Sequence, residues 1–196
     1  MEFLPLFSVS NIGGAVAGVE RITQNIMRSD MKIRQAKRTS YPAIAALQIA
    51  NWRRNYKGLL SDDFLDGLEP GSIIDELREH ELIEPGGILI CEDNNELLGF
   101  AEYRPDDEIQ DCVYLESLHV RESAQGRGIG TRLIQAVFNE ARSSGMRSAS
   151  VCIVQGNERA RQMYVSLGAE TYKYFTDDFH GTESRSEKLI WKELHE

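Results

Sequence analysis

The stretch Gln125-Gly126-Arg127-Gly128-Ile129-Gly130-Thr131 constrains this chain more than any other. Three glycines fall within five positions, and an amphipathic pattern starts at once, with Ile129, Leu133, Ile134, Val137, Phe138 and Ala141 at helical spacing. Glycine weakens a helix interior by roughly 1 kcal/mol relative to alanine, so glycines at a helix start need a reason. The segment before them, "CVYLESLHV" over 112–120, reads as a strand. Strand, glycine-rich turn and helix together make an anion site. The first amides of the helix point outward, and the macrodipole adds about half a positive charge there. Without a Cβ the backbone can approach a phosphate closely. Arg127 and Arg132 add positive charge, and a diphosphate fits the arrangement. The plainer alternative is a tight strand–helix junction with no ligand.

Two familiar phosphate loops do not match. No Gly-Lys-Ser/Thr is present, which removes the Walker loop. The spacing Gly126-x-Gly128-x-Gly130 is not GxGxxG, and the turn lies late in the chain rather than after a first strand, unlike a Rossmann dinucleotide site.

The rest of the chain predicts an α/β domain. A strand over 31–37 precedes helices over 42–57, 61–68 and 72–82, the last two opened by Ser61 and Ser72 and separated by Pro70-Gly71. Two strands, "ILICED" and "ELLGFAEYR", flank Asn94-Asn95, a hairpin signal because Asn tolerates positive φ. After an acidic loop at 105–111 come the strand 112–120, a helix over 128–144, and the apolar strand 148–154. A helix over 157–167 follows, capped by Asn157, and a hairpin of "AETYKYF" and "SEKLIWKEL" ends the chain. The order is β-α-α-α-β-β-β-α-β-α-β-β, with a mixed sheet.

Bulk properties narrow the function. The 196 residues suit one domain with an extension. Residues 1–30 read as that extension, either poorly packed or a translation start placed too early, with a weak amphipathic pattern over 15–28. Residues 31–196 form the domain. Net charge is −9, a poor starting point for nucleic-acid binding. No run of 18 apolar residues suggests a membrane span, and no basic start suggests a secretory leader. Cys91, Cys112 and Cys152 lie apart in apolar runs, which predicts free thiols, a cytoplasmic location and no metal site.

The first motif, Gln125-x-x-Gly128-x-Gly130, is followed about thirty residues later by Asn157, Ala160, Tyr164 and Gly168 in "NERARQMYVSLGA". This ordered pair resembles the GNAT superfamily of N-acetyltransferases, over roughly residues 31–194. The stretch "NWRRNYKGLLSDDFLD" also resembles a bacterial branch with a helical acceptor side. The resemblance implies a mixed, mostly antiparallel sheet, splayed between its fourth and fifth strands, with helices on both faces. It implies acetyl-CoA as cosubstrate. The backbone of Gln125, Gly126, Arg127, Gly128, Ile129, Gly130 and Thr131 would hold the pyrophosphate. Leu118, His119 and Val120 would offer main-chain groups to the pantetheine arm, and Asn157 would bond the cofactor near the splay.

Acetyl transfer to an amine has its own requirements. At pH 7 only roughly one lysine-like amine in two thousand is neutral, so a proton acceptor is needed. The thioester oxygen becomes an oxyanion, for which the Val120 amide is a candidate donor. The leaving thiolate needs an acid. Tyr164, in the family's tyrosine position, is that candidate, its alternative being a core aromatic. Glu116 is the candidate base, its alternative a structural ion pair. Alternation within the strand predicts Glu116 on the face of Tyr114 and Leu118, with His119 opposite. Glu102, Tyr103, Trp52 and Tyr56 are candidate walls of the acceptor cleft. The acceptor is expected to be a small primary amine, with a protein N-terminus as an alternative. A binding module without turnover and a toxin-type enzyme acting on aminoacyl-tRNA are further alternatives, the latter disfavoured by the charge. Oligomeric state is open, a homodimer being one option.

Overall fold

Asn94 and Asn95 both take positive φ, 50° and 65°, the conformation of a type I′ hairpin turn, which matches the right-handed twist of paired strands. They join β2 (Gly87–Asp93) to β3 (Glu96–Pro105) and start the sheet as the sequence predicts. The chain is described here from a computed structural model covering residues 31–179 and 182–194. The proposed extension 1–30 and its amphipathic pattern lie outside the described residues.

Seven strands form one sheet in the order β1-β2-β3-β4-β5-β7-β6. The others are β1 (Lys32–Gln35), β4 (Cys112–Val120), β5 (Ser148–Val154), β6 (Glu170–Phe179) and β7 (Thr182–Trp191). All neighbours are antiparallel except β4 and β5. The helices are α1 (Tyr41–Asn55), α2 (Asp62–Asp66), α3 (Pro70–His80), α4 (Ile129–Ser143) and α5 (Glu158–Ser166). Ile88, Ile90 and Phe100 point to one face and pack with Ile44, Leu47, Ile73 and Leu77 of α1 and α3. The alternate residues Leu89, Cys91 and Ala101 are also buried, on the face that α4 covers with Ile129, Leu133, Ile134 and Val137. Each such Val, Leu, Ile or Phe contributes about 1.5–3 kcal/mol of hydrophobic stabilisation, so helices on both faces follow from strand centres that are apolar at successive positions.

Several element ends differ from the sequence reading by one or two residues, and two differences change an assignment. The third helix starts at Pro70, not after it, and Ser72 is an interior residue rather than a cap. Pro at the first helical position lacks only an N–H that would have no partner there. The last hairpin is longer than expected, pairing through Asp177 with Ser184 and Phe179 with Thr182. Most of the segment 176–185, which lies between the two strands expected from the sequence, is therefore strand.

The sheet splits at its centre. The parallel pairing of β4 with β5 runs from Cys112 opposite Ser148 to Leu115 opposite Val151 and stops, although the strands continue to Val120 and Val154. On its other side β4 stays paired to β3 up to Val120 opposite Gly99. Ser117 faces Glu102 and Leu115 faces Tyr103, so Glu116 is the extra residue of a β-bulge. A bulge bends its strand, and this one lies at the residue where the β5 pairing ends.

Candidate active site

The gap between β4 and β5 holds a cavity of about 640 Å³. Its walls are Leu115 to Val120 of β4, Val151 to Ile153 of β5, the turn before α4, the start of α5, and the end of α1 from Asn51 to Tyr56. Every candidate catalytic and cofactor-binding residue except Arg127 lines it, as do Trp52 and Tyr56. Arg127 lies beside the turn, 3.9 Å from Asp93.

The glycines differ in conformation. Gly126 and Gly128 have φ of 76° and 74°, left-handed backbone that side chains with a Cβ adopt only at a cost. Gly130 is an ordinary helical residue, but a Cβ there would meet Met163 Sδ at 3.4 Å, with Leu118 and Val120 at 3.9 Å. The first two shape the turn, and the third lies where a Cβ would make ordinary van der Waals contact with β4 and α5. The first bond of α4 runs from the Arg132 N–H to the Gly128 carbonyl, so the amides of Ile129, Gly130 and Thr131 lie ahead of it, at the positive end of a four-turn helix. Gln125 plays a different part from its neighbours. Its N–H donates to the Glu122 carbonyl at 3.1 Å, and its side-chain amide donates to the Val120 carbonyl at 3.2 Å.

Leu118, His119 and Val120 are not equivalent. The Arg121 N–H donates to Leu98 O, and in an antiparallel ladder bonded pairs alternate with outward-facing ones. The His119 main chain therefore faces β3, and its carbonyl lies against Gly99. The polar groups of Leu118 and Val120 face the gap. The His119 ring, buried beside Phe100 at 5.2 Å, accepts a bond from Trp52 Nε1 at 3.3 Å. Burial, helped by the charge of Arg54, pushes its pKa down to about 4, so the ring is neutral at pH 7.

The bulge corrects the facing of Glu116. Past the extra residue the alternation shifts: Leu118 turns toward Gly130 and α4, while His119 turns toward Phe100 and α1. Glu116 thus keeps the side of Tyr114 but not that of Leu118. Its carboxylate accepts from Arg104 Nε at 2.7 Å, and Arg104 lies 5.0 Å from the Tyr114 ring centre. Glu102 and Tyr103 do not line the cavity. Glu102 is buried against His80 Nδ1 at 2.7 Å, and the Tyr103 hydroxyl accepts from Gln35 Nε2 at 3.2 Å.

Tyr164 is buried edge-on to Trp191, ring centres 5.7 Å apart. Burial, with a smaller contribution from Tyr56, raises its pKa well above that of a free phenol. The hydroxyl therefore carries its proton at neutral pH. Tyr56 stands in hydrogen-bonding reach of the Asn157 side chain, and burial raises its pKa too. Asn157 also caps α5 through Oδ1, accepting from the Ala160 N–H at 3.3 Å.

A second cavity of about 260 Å³ adjoins the first, and the two share Glu116 and Cys152. Its charged walls are paired among themselves: Arg104 with Asp107 and Glu116, Lys188 with Asp106 and Glu108, Lys173 with Glu108. The acidic loop 105–111 is thus largely neutralised in place. Burial raises the pKa of the Cys152 thiol, which keeps it protonated. Among the described residues no cluster of His, Cys, Asp and Glu is arranged to hold a metal, and no helix is long and apolar enough to cross a membrane.

Sequence reasoning passed over Asn51, Arg54, Arg104 and the Gln125 side chain. The signal for the first two was a polar run, "NWRRN", at the end of an otherwise apolar helix. All four of its first residues bond outside the helix ladder: Asn51 to Val120, Trp52 to His119, Arg53 to the carbonyl of Leu65, and Arg54 to Asn51.

A splayed sheet, a glycine turn at a helix N-terminus and a buried phenol across the gap define an acyl-donor cleft. Residues 48–169 match the acetyltransferase (GNAT) family, and the chain belongs to it. The chain is an acetyl-CoA-dependent acyltransferase, with acetyl-CoA as its cosubstrate. The uncharacterized N-acetyltransferase YhfO of Bacillus subtilis is 32% identical over 143 residues, 71% of this chain and 90% of that protein. The L-methionine sulfoximine/L-methionine sulfone acetyltransferase of Pseudomonas aeruginosa is 33% identical over 87 residues, 42% of this chain and 50% of that one. The yncA protein of Salmonella typhimurium, solved with its cofactor acetyl-CoA, shares the fold with a TM-score of 0.64 at 22% identity, covering 85% of this chain and 95% of that one.

Proposed function

We propose that this enzyme moves the acetyl group of acetyl-CoA to the primary amine of a small molecule by direct attack in the β4–β5 gap. The observation that carries the reading is the shared cavity: the glycine turn, the open edge of β4 and the proton-bearing Tyr164 line one space. The amides of residues 126–131 hold the pyrophosphate, and Arg127 adds charge from beside the turn. The pantetheine arm lies along Leu118 and Val120 as an added strand, with Asn157 bonding it from the far lip. The Val120 N–H stabilises the oxyanion. Tyr164 protonates the departing thiolate, and Glu116, directly or through water, receives the amine proton.

The amine enters through the smaller cavity. Glu116 lines both cavities, so a group held there reaches the thioester without crossing the sheet. A space of about 260 Å³ favours a small acceptor over a protein terminus. The small amino-acid substrate in the name of the Pseudomonas relative points the same way. The thiols Cys91, Cys112 and Cys152, all free, fit a reducing cytoplasm.

The test is Tyr164→Phe, with turnover read by thiol release over a panel of amines. A loss of about a hundredfold in kcat is expected, with coenzyme A affinity by calorimetry within twofold of the wild type. Unchanged turnover would remove the acid assignment.

A further inference from the structure

We infer that Asn51 is a positioning residue of the acyl-donor site: it takes up the Val120 carbonyl and so holds the end of β4 free for the cofactor. Val120 directs both its N–H and its C=O into the gap. In a continuous sheet these groups would pair with β5. Here the carbonyl instead accepts from Asn51 Nδ2 at 3.1 Å and Gln125 Nε2 at 3.2 Å, which occupies both of its lone pairs. The N–H keeps the same outward direction. The strand edge is thereby turned from a ladder partner for β5 into a donor that faces the cavity.

The direction of the Asn51 amide is fixed. Its Oδ1 accepts from Arg54 NH2 at 2.8 Å, and guanidinium groups only donate. Its Nδ2 must then face Val120, whose carbonyl only accepts. Asn51 is 2% exposed, so exchanging these bonds for water is not open to it. Arg54 in turn pairs with Glu122 at 3.0 Å, in the turn that precedes the glycines. A loop of bonds thus runs from Glu122 through Arg54 and Asn51 to Val120 and Gln125. It ties α1 to the strand end and the phosphate turn together.

This inference rests on the donor-cleft reading above, and the experiment separates the two. Coenzyme A is titrated calorimetrically into the wild type, Asn51→Leu, Asn51→Asp and Arg54→Met, each checked for folding by thermal melting. Kinetics give KM for acetyl-CoA and for the acceptor. Asn51→Leu should weaken coenzyme A binding about tenfold and raise the acetyl-CoA KM equally, and should lower saturated kcat severalfold because the displaced Val120 N–H is the oxyanion donor, with acceptor KM within about twofold. Asn51→Asp should be as bad or worse, because a carboxylate oxygen would face the carbonyl. Arg54→Met should lose about threefold. A purely structural Asn51 would lower the melting temperature while leaving the affinity of the folded protein unchanged, and that result overturns the inference. If Asn51→Leu does not fold, unchanged affinity in Arg54→Met overturns it and the threefold loss supports it. Wild type that fails to bind coenzyme A sinks the donor-cleft reading itself, and this inference with it.

Discussion

The lower half of β4, Cys112 to Leu115, has a strand on each side, whereas the upper half, Glu116 to Val120, has only β3. Both halves come from one apolar run. In the lower half Cys112, Val113 and Leu115 are buried and the backbone bonds go to neighbouring strands. In the upper half the edge that faces β5 is served by side chains, from Asn51 and Gln125. The difference is between a ladder that supplies stability and an edge that supplies a binding surface. The bulge at Glu116 marks the change, where strand geometry stops serving the core and starts serving the gap.

Three measurements sharpen or break that contrast. The largest effect is expected at the turn that completes the upper half. Gly128→Val puts a β-branched residue at a φ of 74°, which costs more than the 1–2 kcal/mol typical of left-handed backbone. Coenzyme A affinity of the folded protein should fall by at least thirtyfold in calorimetry, with the melting temperature lowered by several degrees. Retained affinity would mean that the turn does not bind the cofactor. Val113→Ala, 1% exposed in the lower half, should do the reverse. It should cost about 2 kcal/mol in urea unfolding and leave the affinity of the folded protein as it was. A matching loss of affinity would dissolve the distinction between the halves.

The third measurement is a pH dependence. His119 has a folded pKa of about 4 against about 6.5 when unfolded. Between those values the unfolded state binds more protons, so stability rises with pH. What the neutral ring contributes is fully present above pH 6.5 and declines as pH falls toward 4, at up to about 1.4 kcal/mol per pH unit. His119→Gln, which keeps an acceptor for Trp52, should flatten urea midpoints measured from pH 4.5 to 7.5. An equal slope in the variant would place the acid sensitivity elsewhere.

Much of the frame was legible in the residues. The Asn94-Asn95 turn, the cap at Ser61 and the order of strands and helices follow from local chemistry. The glycine turn announced itself because three glycines in five positions run straight into an apolar helical pattern whose interior glycine would weaken. Glu116 was legible as an oddity, a carboxylate inside an apolar strand, but its facing was not. Nothing in "CVYLESLHV" marks a bulge, because the extra residue exists only relative to the register of β3. His119 and Leu118 exchanged faces for the same reason. Asn51 looked like one more polar helix residue until Val120, 69 positions away, came to lie against it.

By itself the sequence determined the alternation of strands and helices, the glycine-rich turn that opens the helix after β4, and the family to which the chain belongs. These rest on dihedral preference and short-range pattern, which neighbours in the chain fix on their own. Only the tertiary structure decided where the sheet opens, which way Glu116 points, and what holds the open edge in place. Those depend on pairing register and on buried bonds between distant segments, and such choices carry no local energetic signature.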